Sequence, residues 1–351
     1  MLEILPVAGI GEVRPGADLA ALIATAAPWL RDGDVLVVTS KIVSKAEGRL
    51  VTLPEDGDER ERARQEAVAA ETARTVAARG PTRIVATHHG FVMAAAGVDT
   101  SNVEQSQLAL LPKDPDASAR SLRAALAERY GWRVGVIVSD TMGRPWRNGL
   151  TDVALGAAGV EPLRDYRGRT DPYGNELQLT QTAVVDQLAA AADLVKGKID
   201  RVPVAVVRGL PGLPDDDGPG VVASLVRDAA SDLFALGTAE ARAAGLRDAA
   251  GLRDAAGLAD GNELATGAVD PATVRRAVAT VPAEVASFDV LPDGAPAAVR
   301  CTVPDPTDPA SLMRLGADVQ RLRAALLAEG LVTAVTYLAG GEALVRVGWP
   351  A

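Results

Sequence analysis

The chain has 351 residues, enough at roughly 100 to 200 residues per domain for two domains with sizeable cores. Hydrophobic residues make up 48% but aromatic residues only 3%, so those cores must be built largely from Ala, Val and Leu. A net charge of −10 argues against a general nucleic-acid surface, and a single cysteine, Cys301, excludes an intrachain disulfide.

Through residue 210, short β-rich runs alternate with alanine-rich segments. Runs at 3–7, 34–40, 83–87, 133–139 and 202–208 have the length and composition of strands. Between them, 17–30, 59–78, 117–130 and 181–195 space their apolar residues as amphipathic helices do. The expected fold is α/β of mixed α+β character, with mixed sheets, flanking helices and a small α+β C-terminal domain. A doubly wound sheet is compatible with this alternation, although the Gly-rich, polar segment 149–179 fits no repeat of a βα unit.

The stretch LPGLPDDDGPG at 210–220 reads as an exposed loop, because Pro, Gly and adjacent acids oppose helix and strand alike. A helical pattern resumes over 221–245. It leads into GLRDAA, repeated twice and followed by GLAD over 245–260, a period that matches no solenoid class and reads as a linker. Beyond it come a helix at 271–279, a turn at 303–309, a long helix at 312–329 and a strand at 343–347. The expected division is 1–245, a linker at 246–262, and 263–351.

No run approaches the roughly 20 apolar residues of a membrane span, and MLEILPVAGI carries no basic region ahead of an apolar stretch. The expected location is the cytoplasm. His88 and His89 are adjacent, and neighbouring side chains on a strand point to opposite faces, which is poor geometry for zinc. Cys301 is expected as core filler.

Chemistry concentrates in VIVSDTMGRPWRNG at 136–149. Asp140 and Thr141 at a strand tip offer hard oxygen ligands for Mg²⁺ or Mn²⁺, while Arg144, Arg147 and Asn148 offer donors to carboxylate or phosphate oxygens. A turn with a helix cap explains the same Asp-Thr-x-Gly run. The loop PVAGIGEVRPG brings Gly9 and Gly11 after a strand, a weak phosphate signal and more simply a turn. In TSKIVSK, Ser40 can donate to a phosphate oxygen and Lys41 or Lys45 can balance its charge, beyond the carboxyl end of a strand. In AAAGVDTSN, Asp99 is either a second carboxylate for the same metal or a turn residue. DPYGNELQLT at 171–180 reads first as a turn.

Taken together, LPVAGIGE, VTSKIVSKAEGRL, MAAAGVDTSNV, SDTMGRPWRNG, DPYGNEL, AAADLVKGK and VPVAVVRG occur in the order and spacing of one family. The chain resembles the coenzyme F-420:L-glutamate ligases over residues 1 to about 245, most of all a two-domain bacterial form in which the ligase is fused to a flavin-binding, nitroreductase-like domain. The resemblance implies GTP-dependent addition of L-glutamate to the lactyl-phosphate arm of the deazaflavin coenzyme F-420-0, then γ-linked extension, through an acyl phosphate. It implies GTP contacts at Ile10, Gly11, Glu12, Val13, Ser40, Lys45 and Asn102, metal ligands at Asp99, Asp140 and Thr141, and a homodimer. Lys198 stands where two-metal relatives often carry Gln; a protonated lysine can replace a metal's charge but cannot ligate it. Arg144, Arg147, Asn148 and Lys198 are assigned to substrate or phosphate.

The tail pieces VDPATVRRAVA, GADVQRLRAALLAEGL and EALVRVGWP resemble parts of the nitroreductase-like domain, shortened, with the GLRDAA repeat in place of the flavin-phosphate segment. Ligase activity without FMN is therefore expected. The alternatives are a bifunctional ligase and reductase that holds FMN, and a noncatalytic coenzyme-binding protein; retention of both Asp99 and Asp140 argues against the latter.

Overall fold

The structure is a computed structural model that describes residues 1–55, 57–228, 231–232, 234–237, 241, 269–281, 286–291 and 297–348. It divides into two compact units, Met1–Gly237 and Thr238–Ala351. The GLRDAA linker lies outside the described residues.

The first unit is organised around one five-stranded sheet made of β1 (Glu3–Val7), β2 (Val35–Thr39), β8 (Gly135–Arg144), β9 (Arg147–Ala158) and β12 (Val204–Arg208), in the order β1-β12-β2-β8-β9. Only β2 and β8 run parallel; β1 with β12, β12 with β2, and β8 with β9 are antiparallel. The sheet is therefore mixed rather than doubly wound. The segment that fitted no βα repeat begins with β9, which returns along β8 as a hairpin arm.

Both faces of this sheet are covered, and the residues alternate accordingly. Leu36, Val38, Val136, Val138, Val204 and Val206 pack on one side with helices α1 (Leu19–Ala26), α2 (Ser40–Ala46) and α4 (Pro115–Tyr130). Val35, Val37, Ile137, Ala205 and Val207 pack on the other with α5 (Val184–Lys196) and the short α6 (Val221–Leu225). Strands buried on both faces read as unbroken apolar runs, which is why VLVVT and VAVVR were recognisable.

Helix α4 shows why these residues stop and start where they do. Asp114 caps its N-terminus by accepting from the Ala117 N–H, Pro115 occupies the first turn, and Gly131, at φ 74°, ends it in the left-handed region. The segment expected as one helix over 59–78 divides instead into α3 (Gly57–Ala70) and β4 (Thr72–Arg79), which pairs with β5 (Thr82–Thr87). Thr72, Thr75 and Val76 are β-branched, and an available partner strand outweighs the helix preference of the surrounding alanines. Strand β5 also pairs with β6 (Val92–Ala94). Smaller pairings join β3 (Leu50–Thr52) to β7 (Gln107–Ala109), and β10 (Leu163–Asp165) to β11 (Gln181–Ala183).

The loop at 210–220 is tied down. Arg123 binds Asp217 at 2.6 Å and the Asp215 carbonyl at 2.9 Å. Beyond it, Asp116 accepts from the Val221 and Val222 N–H groups at the start of α6 and from Ala157 on β9. Of the helix expected over 221–245, the described residues show α6, which spans five residues.

The second unit contains α7 (Pro271–Ala279), β13 (Ser287–Val290), β14 (Ala297–Thr302), α8 (Pro309–Ala328), β15 (Val332–Leu338) and β16 (Glu342–Gly348). Its sheet has the order β13-β14-β16-β15 and is antiparallel throughout. Leu315, Val319, Leu322 and Leu326 of α8 pack on Val299, Cys301, Ala343, Val345 and Val347. Cys301 is fully buried, as expected; burial and then Asp318 push its thiol up to about 12. Among the described residues, no helix is long and apolar enough to cross a membrane.

Candidate active site

The carboxyl ends of β2 and β8, the parallel pair of the five-stranded sheet, stand side by side, because Thr39 is in register with Ser139. Ser40 and Lys41 therefore leave β2 beside the point where Asp140 and Thr141 continue β8. Val7, the last residue of β1, pairs with Val204, which in turn pairs with Val38. The loop with Ile10, Gly11, Glu12 and Val13 thus emerges at this same edge. Carboxyl ends of parallel strands are where α/β sheets collect ligands.

Salt bridges tie these loops together. Lys45, buried in α2, donates to exposed Glu12 at 2.6 Å, joining two segments expected to share one nucleotide. Lys41 pairs with Asp99 and donates to the Ser101 carbonyl at 2.7 Å and hydroxyl at 2.6 Å. The Asp99 backbone bridges to Ala109, so this loop is anchored on the end of β7. Asn102 follows in the left-handed region, φ 54°, exposed. Burial works against the Asp99 charge, yet the Lys41 ammonium and two Ser101 hydrogen bonds outweigh it and hold the carboxyl below its ordinary value.

Asp140 behaves oppositely. Burial raises its carboxyl to about 6; the Thr141 N–H and Lys41 offset part of this, and the charges of Asp152 and Asp99 add to it. Among the described residues, no cation lies within ion-pairing distance of Asp140. It is a desolvated carboxylate without a counter-ion there, in the field of two further carboxylates.

Thr141 faces a different set of groups. It is in register with Asp152 on β9, and its hydroxyl donates to Asp152 Oδ1 at 2.8 Å. Asp152 Oδ2 accepts from Ser139 Oγ at 3.0 Å and from Lys196 Nζ at 2.8 Å. Lys198 donates to Thr141 Oγ1 and Asp193 Oδ1, each at 2.8 Å, and approaches Asp152 Oδ1 at 3.4 Å. Despite its burial, Asp152 is held below the ordinary value by Lys196 first and then by its hydrogen bonds.

The expected residues fall into groups. Ile10 to Val13, Ser40 and Lys45 share one edge with Asp99 and Asp140, and Thr141 lies alongside with Lys198. Arg144, Arg147 and Asn148 do not join them. They sit exposed at the tip of the β8–β9 hairpin, ~13 Å from Asp140 at the usual strand rise. There Arg144 reaches the Asn148 carbonyl at 3.4 Å, and Trp146 packs edge-on against Phe234 at 5.0 Å. Sequence reasoning missed Asp152 and Lys196, although an aspartate inside TDVALGAA and a lysine ending an apolar helix face were signals.

Two other readings resolve simply. His88 and His89 lie in a turn between β5 and β6, not on a strand, and their Nε2 atoms meet backbone carbonyls of Ala70, Pro112 and Lys113. Asp171 accepts from the N–H groups of Tyr173 and Asn175, making DPYGNEL a side-chain-stabilised turn. Among the described residues, no three His, Cys, Asp or Glu side chains converge as a metal site. A cation here would draw on two carboxylates and complete its shell with ligand oxygens and water, the usual habit of Mg²⁺.

Residues 9–209 match the family model described as F420-0:Gamma-glutamyl ligase. Among curated proteins, the chain is similar to the coenzyme F420:L-glutamate ligase of Methanopyrus kandleri, 43% identical over 246 residues, covering 66% of this chain and 97% of that protein. The enzyme of the same name from Methanothermobacter thermautotrophicus is 40% identical over 251 residues, covering 66% and 98%. That of Archaeoglobus fulgidus is 42% identical over 221 residues, covering 60% and 88%.

Proposed function

The chain belongs to the F420-0:gamma-glutamyl ligase family and is a ligase that joins L-glutamate to coenzyme F420 in its biosynthesis; on that premise we propose that GTP drives the reaction through an acyl phosphate. In this reading the terminal carboxylate of F420-0 attacks the γ-phosphorus of GTP, the bond to the β-phosphate breaks, and GDP leaves. The glutamate amine then attacks the activated carbonyl carbon, the bond to phosphate breaks, and inorganic phosphate and a proton leave. Activation is needed because a free carboxylate is a poor electrophile. Repetition on the γ-carboxyl of the added glutamate extends the tail.

The observation that supports this most is the gathering of Ser40, Lys45, the 10–13 loop, Asp99 and Asp140 at one sheet edge. GTP would lie along Ile10 to Val13, with Ser40, Lys45 and Asn102 as its polar contacts. Asp140 and Asp99 fit a divalent cation, Mg²⁺ or Mn²⁺. The first is a desolvated carboxylate with no counter-ion among the described residues, and the second is balanced by a lysine that a phosphate could draw away. Thr141, next along β8, faces the other side of the strand, where Lys198 donates to its hydroxyl at 2.8 Å, and would reach the ligand from there. When bound, the cation neutralises phosphate charge as it redistributes. Lys41 and Lys45 add fixed positive charge, and holding the two substrates in line supplies much of the rate.

Arg144, Arg147 and Asn148, at the hairpin tip, would meet the outer part of a long anionic substrate. A homodimer belongs to the same proposal, supported by Trp146, Leu150, Tyr173 and Leu179, large apolar side chains each at least 70% exposed. The shortened C-terminal unit would hold no FMN. Stoichiometric flavin absorbance in the purified protein would overturn that last point.

The central test is to incubate the protein with F420-0, L-glutamate, GTP and Mn²⁺ and to weigh the product. A glutamyl increment with matching release of GDP and phosphate is expected. Turnover without GTP would refute the acyl-phosphate route, and no increment at all would refute the ligase activity of this chain.

A further inference from the structure

Helix α5 ends in two lysines of different kinds. Lys196, its last residue, is turned into the fold: its ammonium lies 2.8 Å from Asp152, and the two side chains are only 4% and 3% exposed. Gly197 then takes φ 63°, in the left-handed region, and Lys198 follows with 58% of its side chain exposed. Lys198 reaches back one turn to Asp193 at 2.8 Å and across to the Thr141 hydroxyl at the same distance.

Lys198 is not needed to neutralise the buried carboxylate. Asp152 already receives Lys196 and Ser139 on Oδ2 and Thr141 on Oδ1, and the approach of Lys198 at 3.4 Å is longer than an ordinary N–H···O bond. Two of its three protons are thus well placed and the third is weakly held. Among the described residues, no other side chain bonds to the Asp193 carboxylate, so Oδ2 is left to accept. An ion pair as open as this one adds little to stability. Thr141 nevertheless fixes it at the end of β8, one residue beyond Asp140 and on the opposite side of the strand.

We propose that Lys198 and Asp193 form the site for the incoming L-glutamate, Lys198 taking its α-carboxylate and Asp193 its amine. Charge selects this ligand among the three reactants. The nucleotide and the lactyl-phosphate arm of the coenzyme bring only negative charge, and beside Lys198 either would also meet the Asp193 carboxylate. L-Glutamate carries an amine and a carboxylate on one carbon, which is the complement of a carboxylate and an ammonium held 2.8 Å apart.

The position suits the reaction as well. Asp99 and Asp140, with Lys41 and Lys45, serve the nucleotide on one side of β8, so the amine comes to the activated carbonyl from the other. The inference rests on that reading for its placement, and it narrows Lys198 from a contact to substrate or phosphate to a contact with the amino acid.

The test uses the whole protein with GTP, Mn²⁺ and F420-0, and compares L-glutamate with its α-amide, which keeps the amine and the γ-carboxylate but lacks the α-charge. The wild type is expected to favour L-glutamate by about tenfold or more in kcat/KM, because a charge-assisted hydrogen bond is lost with the amide. Lys198→Met should raise KM for L-glutamate by about tenfold or more, leave KM for GTP and for F420-0 within about twofold, and erase the preference over the amide. Lys198→Arg, which keeps the charge, should restore part of that preference. Asp193→Asn should also raise KM for L-glutamate and spare the other two substrates.

Equal use of the amide and of L-glutamate by the wild type would overturn the proposal without any variant having to fold. So would a Lys198→Met variant whose KM rises for GTP or F420-0 instead, or one that melts lower while its KM for L-glutamate stays unchanged. Glutamate incorporation by the wild type is read in the same assay, so a ligase that works but ignores the α-charge refutes this site and leaves the ligase reading standing.

Discussion

Asp140 is held in its site at a cost to folding, and the sign of that cost can be measured. Its carboxyl is raised to about 6 in the folded protein, from the 3.8 of an unburied aspartate. Between those values the folded state binds more protons than the unfolded one, so stability falls as pH rises through the window and stays lower above it. The size is on the order of 3 kcal/mol for a shift of this extent. Asp140→Asn, lacking the charge, should therefore melt higher than the wild type at pH 8 and no higher at pH 4, while losing glutamate incorporation. Melting curves at the two pH values, without metal, would check it; an equal gain at both would show that the buried charge is not the cause. Asp140 and Thr141 were visible in sequence because an apolar run delivers them to a strand end. Asp152 and Lys196 were not, because only the pairing of β8 with β9 and the return of α5 bring them to Thr141.

At the level of elements, two contacts decide how the sheet and its helices are locked. Gly156 on β9 lies against the start of α4, where an added Cβ would meet the carbonyl carbon and oxygen of Pro115 at 2.2 Å. Backbone on backbone cannot relax, so Gly156→Ala should destabilise the unit by several kcal/mol, about the upper range for single substitutions, read as a lower denaturant midpoint. Asp116 accepts three backbone N–H groups, from Ala157, Val221 and Val222. Asp116→Ala leaves them without an acceptor, and a loss of about 3 kcal/mol or more is expected in the same measurement. Neither contact was legible, since glycine and aspartate near a proline read only as turn residues. The sheet strands themselves were, because burial on both faces writes a continuous apolar run. The 59–78 segment shows the opposite case: alanine-rich composition favours helix, and the strand at its end exists only because β5 is there to receive it.

At the scale of the molecule, two units carry separate cores, and the similarity to the ligases of Methanopyrus kandleri and Methanothermobacter thermautotrophicus covers 97% and 98% of those proteins with 66% of this chain. A chain of that extent suffices for them. Leu322, fully buried in α8, is therefore a useful probe: Leu322→Ala should cost the C-terminal unit about 2–5 kcal/mol, lowering its melting while glutamate ligation at lower temperature continues. Ligation lost together with that unit would give the tail a part in the reaction. The antiparallel order of the second sheet could not be anticipated, because strand order depends on contacts distant in sequence.

The pairing of β1 with β12 also sets a schedule for synthesis. Residues 3–7 have their partners at 204–208, and β2 finds one neighbour at 135–139 and the other at 204–207. At about 5–20 residues per second, roughly 10–40 seconds separate the emergence of the first strand from that of its mate. Throughout that interval the nascent chain presents VLVVT with no complete sheet to enter. Folding of the ligase unit is thus gated by the arrival of VAVVR, and a ribosome stalled before residue 204 should hold a chain that remains a chaperone substrate and is cut readily by protease.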